Sequence, residues 1–279
     1  SARSLWLSMP SFSGKRWTQA IIKRLRPATE FRFHGPCISS SFSQSSYICR
    51  SSRLNCYLMK ISVLTENAPG TFTAAEHGLS YLIEHDGKRI LFDTGQSDLF
   101  LKNAGLMGVD MNHIDVIILS HGHYDHGDGL QYLLGGQLIC HPGCFVKRYG
   151  SGGRRYIGLK CSEDEITNKF RLLSTAEPYE ISPAIIFLGE IPRITPFESK
   201  TTGFVFEDGS PDFVMDDSAV ALIVDEGIFV VTGCGHAGVV NTLEHAKKVS
   251  GRQKISGIMG GFHLKENNIQ TRETIKYLE

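Results

Sequence analysis

Apolar positions along the chain repeat in two ways, and their breaks mark the elements. Residues 60–66, 78–84 and 88–92 are dense in β-branched and apolar side chains, which predicts three strands. Pro69-Gly70 separates the first two, and Asp86-Gly87 is a hairpin turn between the second and third. Asp93-Thr94-Gly95 then closes the third strand in a tight polar turn. Residues 98–104 predict a short helix. Within 113–119, Ile114, Val116, Ile117, Ile118 and Leu119 form a run suited to a strand buried on both faces. A helix is expected over 129–134 and a buried strand over 137–141. Further on, 184–188 reads as a strand, and 218–224 with 228–232 as a hairpin about Asp225-Glu226-Gly227. Residues 241–249 read as helix, 257–259 as strand and 271–278 as helix. Residues 147–175 keep neither period and read as an irregular surface excursion. Strand–strand–helix units in both halves predict an α/β fold, two mixed sheets face to face with helices outside.

Before residue 59 the pattern is different. Residues 1–58 show no sustained alternation and only one helix-like stretch, 17–25. They hold nine Lys+Arg against the single acid Glu30, and they are rich in Ser. The whole chain has 279 residues with 29 basic and 29 acidic side chains, so a +8 segment precedes a −8 body. Basic, Ser-rich and acid-poor composition suits an organelle transit peptide. It also suits an arm for an acidic partner. The preferred reading is a leader carried in from upstream of a natural start at Met59. All three place 1–58 outside the catalytic domain, 59–279. No apolar run reaches the ~20 residues of a membrane-spanning helix. Seven Cys, an odd number, argue against a fully paired disulfide framework and for a reducing, cytoplasmic setting. An acidic body disfavours a nucleic-acid partner. A small-molecule substrate is expected, and a homo-oligomer stays compatible with the sequence.

The sharpest feature is Ser120-His121-Gly122-His123-Tyr124-Asp125-His126-Gly127, directly after the buried run. The chain has eleven His, and three of them fall within six residues beside an Asp. A chance group of surface histidines is the bland alternative. Imidazole and carboxylate together suit a divalent metal, zinc foremost, with iron or manganese as alternatives. On a loop, His121 and His123 can share one ion, while Asp125 and His126 can reach a second. Two such ions would hold a hydroxide and clamp a phosphoryl or carbonyl oxygen.

His121-x-His123-x-Asp125-His126 resembles the signature of the metallo-β-lactamase superfamily. Asp93, in Leu91-Phe92-Asp93-Thr94-Gly95, resembles its first motif, whose Asp orients the metal loop. Residues 230–238, Val-Val-Thr-Gly-Cys-Gly-His-Ala-Gly, stand where the superfamily has Thr-Gly-Asp. Gly260-Gly261-Phe262-His263-Leu264 supplies a later His. Together with Glu76-His77-Gly78-Leu79-Ser80, these motifs resemble the branch named for the 7,8-dihydropterin-6-methyl-4-(β-D-ribofuranosyl)aminobenzene-5′-phosphate synthase. The resemblance spans essentially 59–279. It implies an αββα four-layer sandwich and one or two divalent ions. They would be held by His121, His123, Asp125, His126, His236 and His263, with Asp125 and His263 placed as catalytic groups.

Three departures shape the expected chemistry. Cys234 replaces the bridging carboxylate, and is either a softer ligand or a buried structural thiol. The separate third-motif His is missing where Val214-Met215-Asp216-Asp217 stands. His236 is its natural substitute, and Asp217 is a weaker candidate. Members of the branch continue to a strand bearing His-Cys-Thr-Gly, whereas this chain ends at Glu279. On that comparison the sandwich is expected to be short at its C-terminal end, and His263 is either the last ligand or a group behind it. Glu76 and His77 are candidate pocket residues or solvated loop residues. His141 is a cleft residue or a cap. Lys147, Arg148, Arg154 and Arg155 would hold a substrate phosphate or form a basic surface. His85, His113 and His245 read as surface. The reaction expected first is hydrolysis of a phosphoester, lactam or lactone by metal-activated water. The alternatives are a synthase-type transfer that displaces diphosphate from a pterin, and a non-catalytic metal-binding member. An oxygen-reducing di-iron centre is disfavoured because the chain has no flavin domain.

Overall fold

The computed structural model describes residues 46–49, 59–150, 152–225, 227–264 and 266–279. Strands β1 (Ser46–Cys49), β2 (Met59–Thr65), β3 (Ser80–His85) and β4 (Lys88–Phe92) form an antiparallel run. Helix α1 (Leu99–Leu106) then crosses to β5 (Val116–Ile118), which lies parallel to β4. A one-turn helix α2 (Tyr124–Gly127) and a 3-10 turn (Asp128–Tyr132) lead to β6 (Gly136–Cys140), parallel to β5. The short strands β7 (Arg148–Gly150) and β8 (Arg155–Tyr156) leave this sheet. Helix α3 (Glu163–Lys169) returns the chain to β9 (Phe170–Ser174), beside β6. The sheet order is β1-β2-β3-β4-β5-β6-β9.

The second sheet takes β10 (Tyr179–Ser182), β11 (Ile185–Phe187), β14 (Ala219–Val224), β15 (Gly227–Thr232) and β16 (Ile255–Gly260). Strands β12 (Phe204–Phe206) and β13 (Pro211–Asp212) join β7 and β8 in a small antiparallel sheet. Helices α4 (Val239–Ser250) and α5 (Ile269–Leu278) complete the chain.

The layering follows from a period of two. Along β3, Tyr81 and Ile83 enter the core between the sheets, and Leu82 points to the outer face. Along β4, Ile90 and Phe92 point inward and Leu91 outward. On the second sheet, Val220 and Leu222 meet the same central core, while Ala219 and Ala221 face the α4 side with Leu243 and Ala246. The central strands β3, β4 and β14 are buried on both faces, so each sheet needs a helical layer outside it. The result is the αββα sandwich expected from the resemblance. Burying one such side chain contributes roughly 1.5–3 kcal/mol.

One expectation changes. Residues 147–175 are not an irregular excursion, since they carry β7, β8, α3 and β9, and β9 extends the main sheet. Of residues 1–58, expected outside the catalytic domain, Ser46–Cys49 are described and pair as β1 with β2 at the sheet edge. The helix-like stretch at 17–25 lies outside the described residues. No helix among the described residues is long and apolar enough to cross a membrane.

Candidate metal centre

Parallel pairing puts the ends of β4 and β5 at one edge, and those of β15 and β16 at the facing edge. Ligands in such sheets bind beyond the carboxyl ends of strands. The turn after β4 supplies Asp93, and the turn after β5 supplies residues 120–126. The turn after β15 supplies Cys234 and His236, and the turn after β16 supplies His263. A backbone bond from Ser218 N to Ser120 O, 2.8 Å, ties the two edges together.

Asp93 organises the first turn from a fully buried position with φ of 56°. Its Oδ1 accepts from Ser120 N at 2.7 Å. Its Oδ2 accepts from Ser120 Oγ at 2.7 Å and meets His126 Nδ1 at 2.6 Å. That contact leaves His126 Nε2 directed to Cys234 Sγ, 3.1 Å away. His121 Nδ1 meets Ser120 Oγ at 2.8 Å, and its Nε2 meets His123 Nδ1 at 2.9 Å. The loop is packed too tightly for a side chain at residue 122. A Cβ on Gly122 would stand 1.9 Å from the Cys144 carbonyl oxygen. Gly233 is similarly bare, because a Cβ there would stand 2.0 Å from Ser120 Oγ.

Two groups of three donors result. His121, His123 and His236 form one, and His121, His126 and Cys234 form the other. His123 Nε2 and His236 Nε2 are buried without a hydrogen-bond partner. Unpaired buried polar atoms are rare and call for a reason, and a bound ion is one such reason. The donor chemistry fits, since imidazole and thiolate are the preferred ligands of zinc.

The protonation states differ across the cluster. Burial, with neighbouring imidazoles adding to it, holds His121, His123 and His236 well below the ordinary histidine range. Burial also pushes His126 down, but Cys234 and Asp93 more than reverse this and hold it well above that range. Burial pushes the Cys234 thiol up, with His126 working against it. Asp217 is fully buried. Its Oδ2 accepts from Ala237 N at 2.8 Å, and its Oδ1 lies 4.0 Å from His121 Nδ1. Burial pushes its carboxyl up to about 7, with Arg193 acting the other way.

The remaining residues fall into place around this cluster. Asp125 is in neither donor group. Its Oδ2 lies 3.9 Å from His126 Nε2 and 3.1 Å from His77 Nε2, so it stands between the two rings. His263 has its ring 4.4 Å from that of His236 and likewise stands outside both groups. Glu76 does not line the cluster as a free carboxylate, because its two oxygens accept from Gln96 N and Ser97 Oγ and brace the turn after Asp93. Arg155 is exposed, bonds Tyr124 Oη and stacks over that ring, and Arg154 is exposed. Arg148 is no surface cation. It is 1% exposed and paired with Asp216 at 2.9 Å. His141 is a cap, accepting from Gly143 N at 3.0 Å. His85 is buried against Ile223 O, and His245 is half-buried against Leu188 O.

Phe204 escaped the sequence reading. Its ring centre lies 5.0 Å from His123, 5.6 Å from His236 and 6.4 Å from His263. Phe204-Val-Phe206 is only three residues long, and nothing in it says that β12 crosses the histidines. Glu198, buried at the start of α4, was also unseen. It accepts from Val240 N and Asn241 N and caps the helix from a distant loop.

Similarity to known proteins agrees with this geometry. Residues 74–136 match the metallo-β-lactamase superfamily. An uncharacterized protein of Methanocaldococcus jannaschii, MJ0448, is 39% identical over 212 residues, 73% of this chain and 79% of that one. The 7,8-dihydropterin-6-methyl-4-(β-D-ribofuranosyl)-aminobenzene-5′-phosphate synthase of the same organism is 32% identical over 247 residues, 79% of this chain and 83% of that one. The crystal structure of Tm1679, a metal-dependent hydrolase of the β-lactamase superfamily, superposes with a TM-score of 0.66 at 32% identity, covering 78% of this chain and 81% of that chain. The chain therefore belongs to the metallo-β-lactamase superfamily and resembles its dihydropterin–ribofuranosylaminobenzene phosphate synthase branch.

Proposed function

We propose that the chain is a metal-dependent enzyme acting on a small molecule at the histidine cluster. One observation carries this reading: two buried imidazole nitrogens without partners, His123 Nε2 and His236 Nε2, in a cluster that presents two three-donor groups. Leaving such groups unsatisfied costs about 1–3 kcal/mol each, which a bound cation offsets. His121, His123 and His236 would hold one ion. His126 and Cys234 would contribute to a second, and His121 could serve either ion but not both at once, because its Nδ1 is taken by Ser120 Oγ. Zinc suits both groups, and iron or manganese suits the imidazoles. Such ions, when bound, lower the pKa of water and polarise a substrate oxygen.

The side chains supply the rest. Asp93 keeps His126 turned toward Cys234. His77 holds Asp125 at the margin of the cluster, where its carboxylate can take a proton from an attacking group. His263, beside His236, would contact the substrate. In the hydrolytic form the attacking group is water and the substrate a phosphoester, lactam or lactone. Likeness to the metal-dependent hydrolase supports it. In the transfer form the amino nitrogen of the aminobenzene would attack the methyl carbon of a dihydropterin diphosphate, forming the C–N bond as diphosphate leaves and the nitrogen gives up a proton. Likeness to the synthase supports it equally, and Phe204 adds to it, because a flat ring against three histidines suits a ring-bearing substrate. The free thiols of Cys140, Cys144, Cys161 and Cys234 accord with a reducing, cytoplasmic setting.

The deciding experiment uses the zinc-loaded full chain. Diphosphate released from dihydropterin diphosphate only when the aminobenzene acceptor is present would establish transfer. Phosphodiester, lactam or lactone cleavage without acceptor would establish hydrolysis. Either activity should vanish in His123→Ala. If neither exceeds the metal-free protein, the non-catalytic reading replaces both.

A further inference from the structure

Beneath the metal loop lies a buried charge cluster of Arg148, Asp212 and Asp216. Arg148, on β7, is 1% exposed, and Asp216 is equally buried. Arg148 Nη1 meets Asp216 Oδ1 at 2.9 Å, its Nη2 donates to Gly143 O at 2.8 Å, and its Nε lies 3.5 Å from Asp212 Oδ2. The other oxygen of Asp216 accepts from Gly122 N at 2.7 Å. Gly122 is the residue between His121 and His123. Its opposite contact is the Cys144 carbonyl, which leaves no room for a Cβ. The backbone between the two histidines is thus gripped by a carbonyl and by a carboxylate that a buried guanidinium holds in place.

Burying these charges is costly unless every one is paired, and the set has a specific product. The backbone it fixes carries two donors of the all-histidine group. The guanidinium that fixes it belongs to the small sheet whose β12 carries Phe204, since Phe206 is in register with Arg148. We propose that Asp216, held by Arg148, is a positioning residue that sets His121 and His123 for the all-histidine group, and that it couples the small sheet to the metal loop. The proposal rests on reading the cluster as a metal centre. It predicts that the His126–Cys234 group, whose orientation comes from Asp93 and which meets Asp216 only through His121, depends on Asp216 less than the all-histidine group does.

Cobalt(II) titration of the metal-free full chain separates the two groups. Thiolate-to-cobalt absorption reports Cys234, and the visible ligand-field bands with total stoichiometry report the histidines. Asp216→Ala should weaken cobalt at the all-histidine group by about 10–100-fold, as loss of a residue supporting a ligand does elsewhere. The thiolate band should weaken less, because Asp216 sets only His121 of that group. Asp216→Asn keeps an oxygen for Gly122 N but turns its NH2 toward Arg148, so it should weaken cobalt at the all-histidine group, though less than Asp216→Ala does. Arg148→Lys loses the fork that spans Asp216 and Gly143, and should behave like Asp216→Ala. It covers the case in which Asp216→Ala does not fold. Unaltered ligand-field bands in a folded Asp216→Ala or Arg148→Lys protein would overturn the proposal. So would equal loss of both signals. If the parent protein itself binds no cobalt, the metal reading fails instead, so the two failures are distinct.

Discussion

The group of His123 and His236 and the group of His126 and Cys234 draw on the same His121, yet they hold their protons differently. In the first, burial has already expelled the protons, and the imidazoles stand ready as neutral ligands. In the second, burial is outweighed and His126 lies above the ordinary range beside Asp93, while burial raises the Cys234 thiol. One region is prepared for a cation by removing charge, and the other by pairing it. A cation should therefore meet little proton competition in the first and strong competition in the second.

The harshest way to break this contrast is His121→Ala. If neither group holds an ion without His121, bound metal per chain, read by atomic emission after gel filtration, should fall to near zero. Affinity should drop by more than the ~10–100-fold that follows loss of an outer partner. Full retention of one equivalent would mean that one group is complete without His121.

Asp93→Asn separates the groups more gently. Asn tolerates the positive φ at residue 93 and keeps an oxygen for Ser120 N, but it removes the charge beside His126. Affinity at the His126–Cys234 group should fall by about 10–100-fold, and the all-histidine group should hold within a few-fold. Equal losses would show that Asp93 acts on the whole loop.

Acidity sharpens the comparison next. His126 lies above the ordinary value of 6.5, and protons compete for it even at neutral pH. Binding at its group should weaken roughly tenfold per pH unit, per proton released, as the pH falls through neutrality. His123 and His236 lie below 6.5, so binding there should stay flat down to that value. Calorimetry in buffers of different ionisation heat should find proton release at one group and almost none at the other.

How far the chain declared all this depends on distance along it. The sandwich was legible because Tyr81-Leu82-Ile83 and Ile90-Leu91-Phe92 alternate between two cores within a few residues. Residues 147–175 were opaque for the opposite reason. Tyr149 pairs with Val205, 56 positions away, in strands too short to show a period. Ser162 and Glu165 did carry a capping box for α3, a local signal that went unread. The histidine loop announced itself by composition. Its partition did not, since Asp125 and His126 are neighbours that turn to different partners, His77 and Cys234. Arg148 looked like one more surface cation, because burial of a charge depends on where Asp212 and Asp216 return.

The smallest change tests where the two groups join. Ser120 Oγ touches Asp93 Oδ2 at 2.7 Å and His121 Nδ1 at 2.8 Å, so it lies between the residue that orients His126 and the donor common to both groups. Ser120→Ala keeps the backbone bond to Asp93 Oδ1, and Asp93 Oδ2 keeps His126 Nδ1. The loss is one buried hydroxyl, about 1 kcal/mol of stability by denaturant titration. The metal titration carries the argument. If Ser120 acts by steadying the His121 ring, both groups should weaken together by a few-fold. If it acts through Asp93, only the His126–Cys234 group should weaken, and the two groups would then be joined at His121 alone, with no shared support behind it.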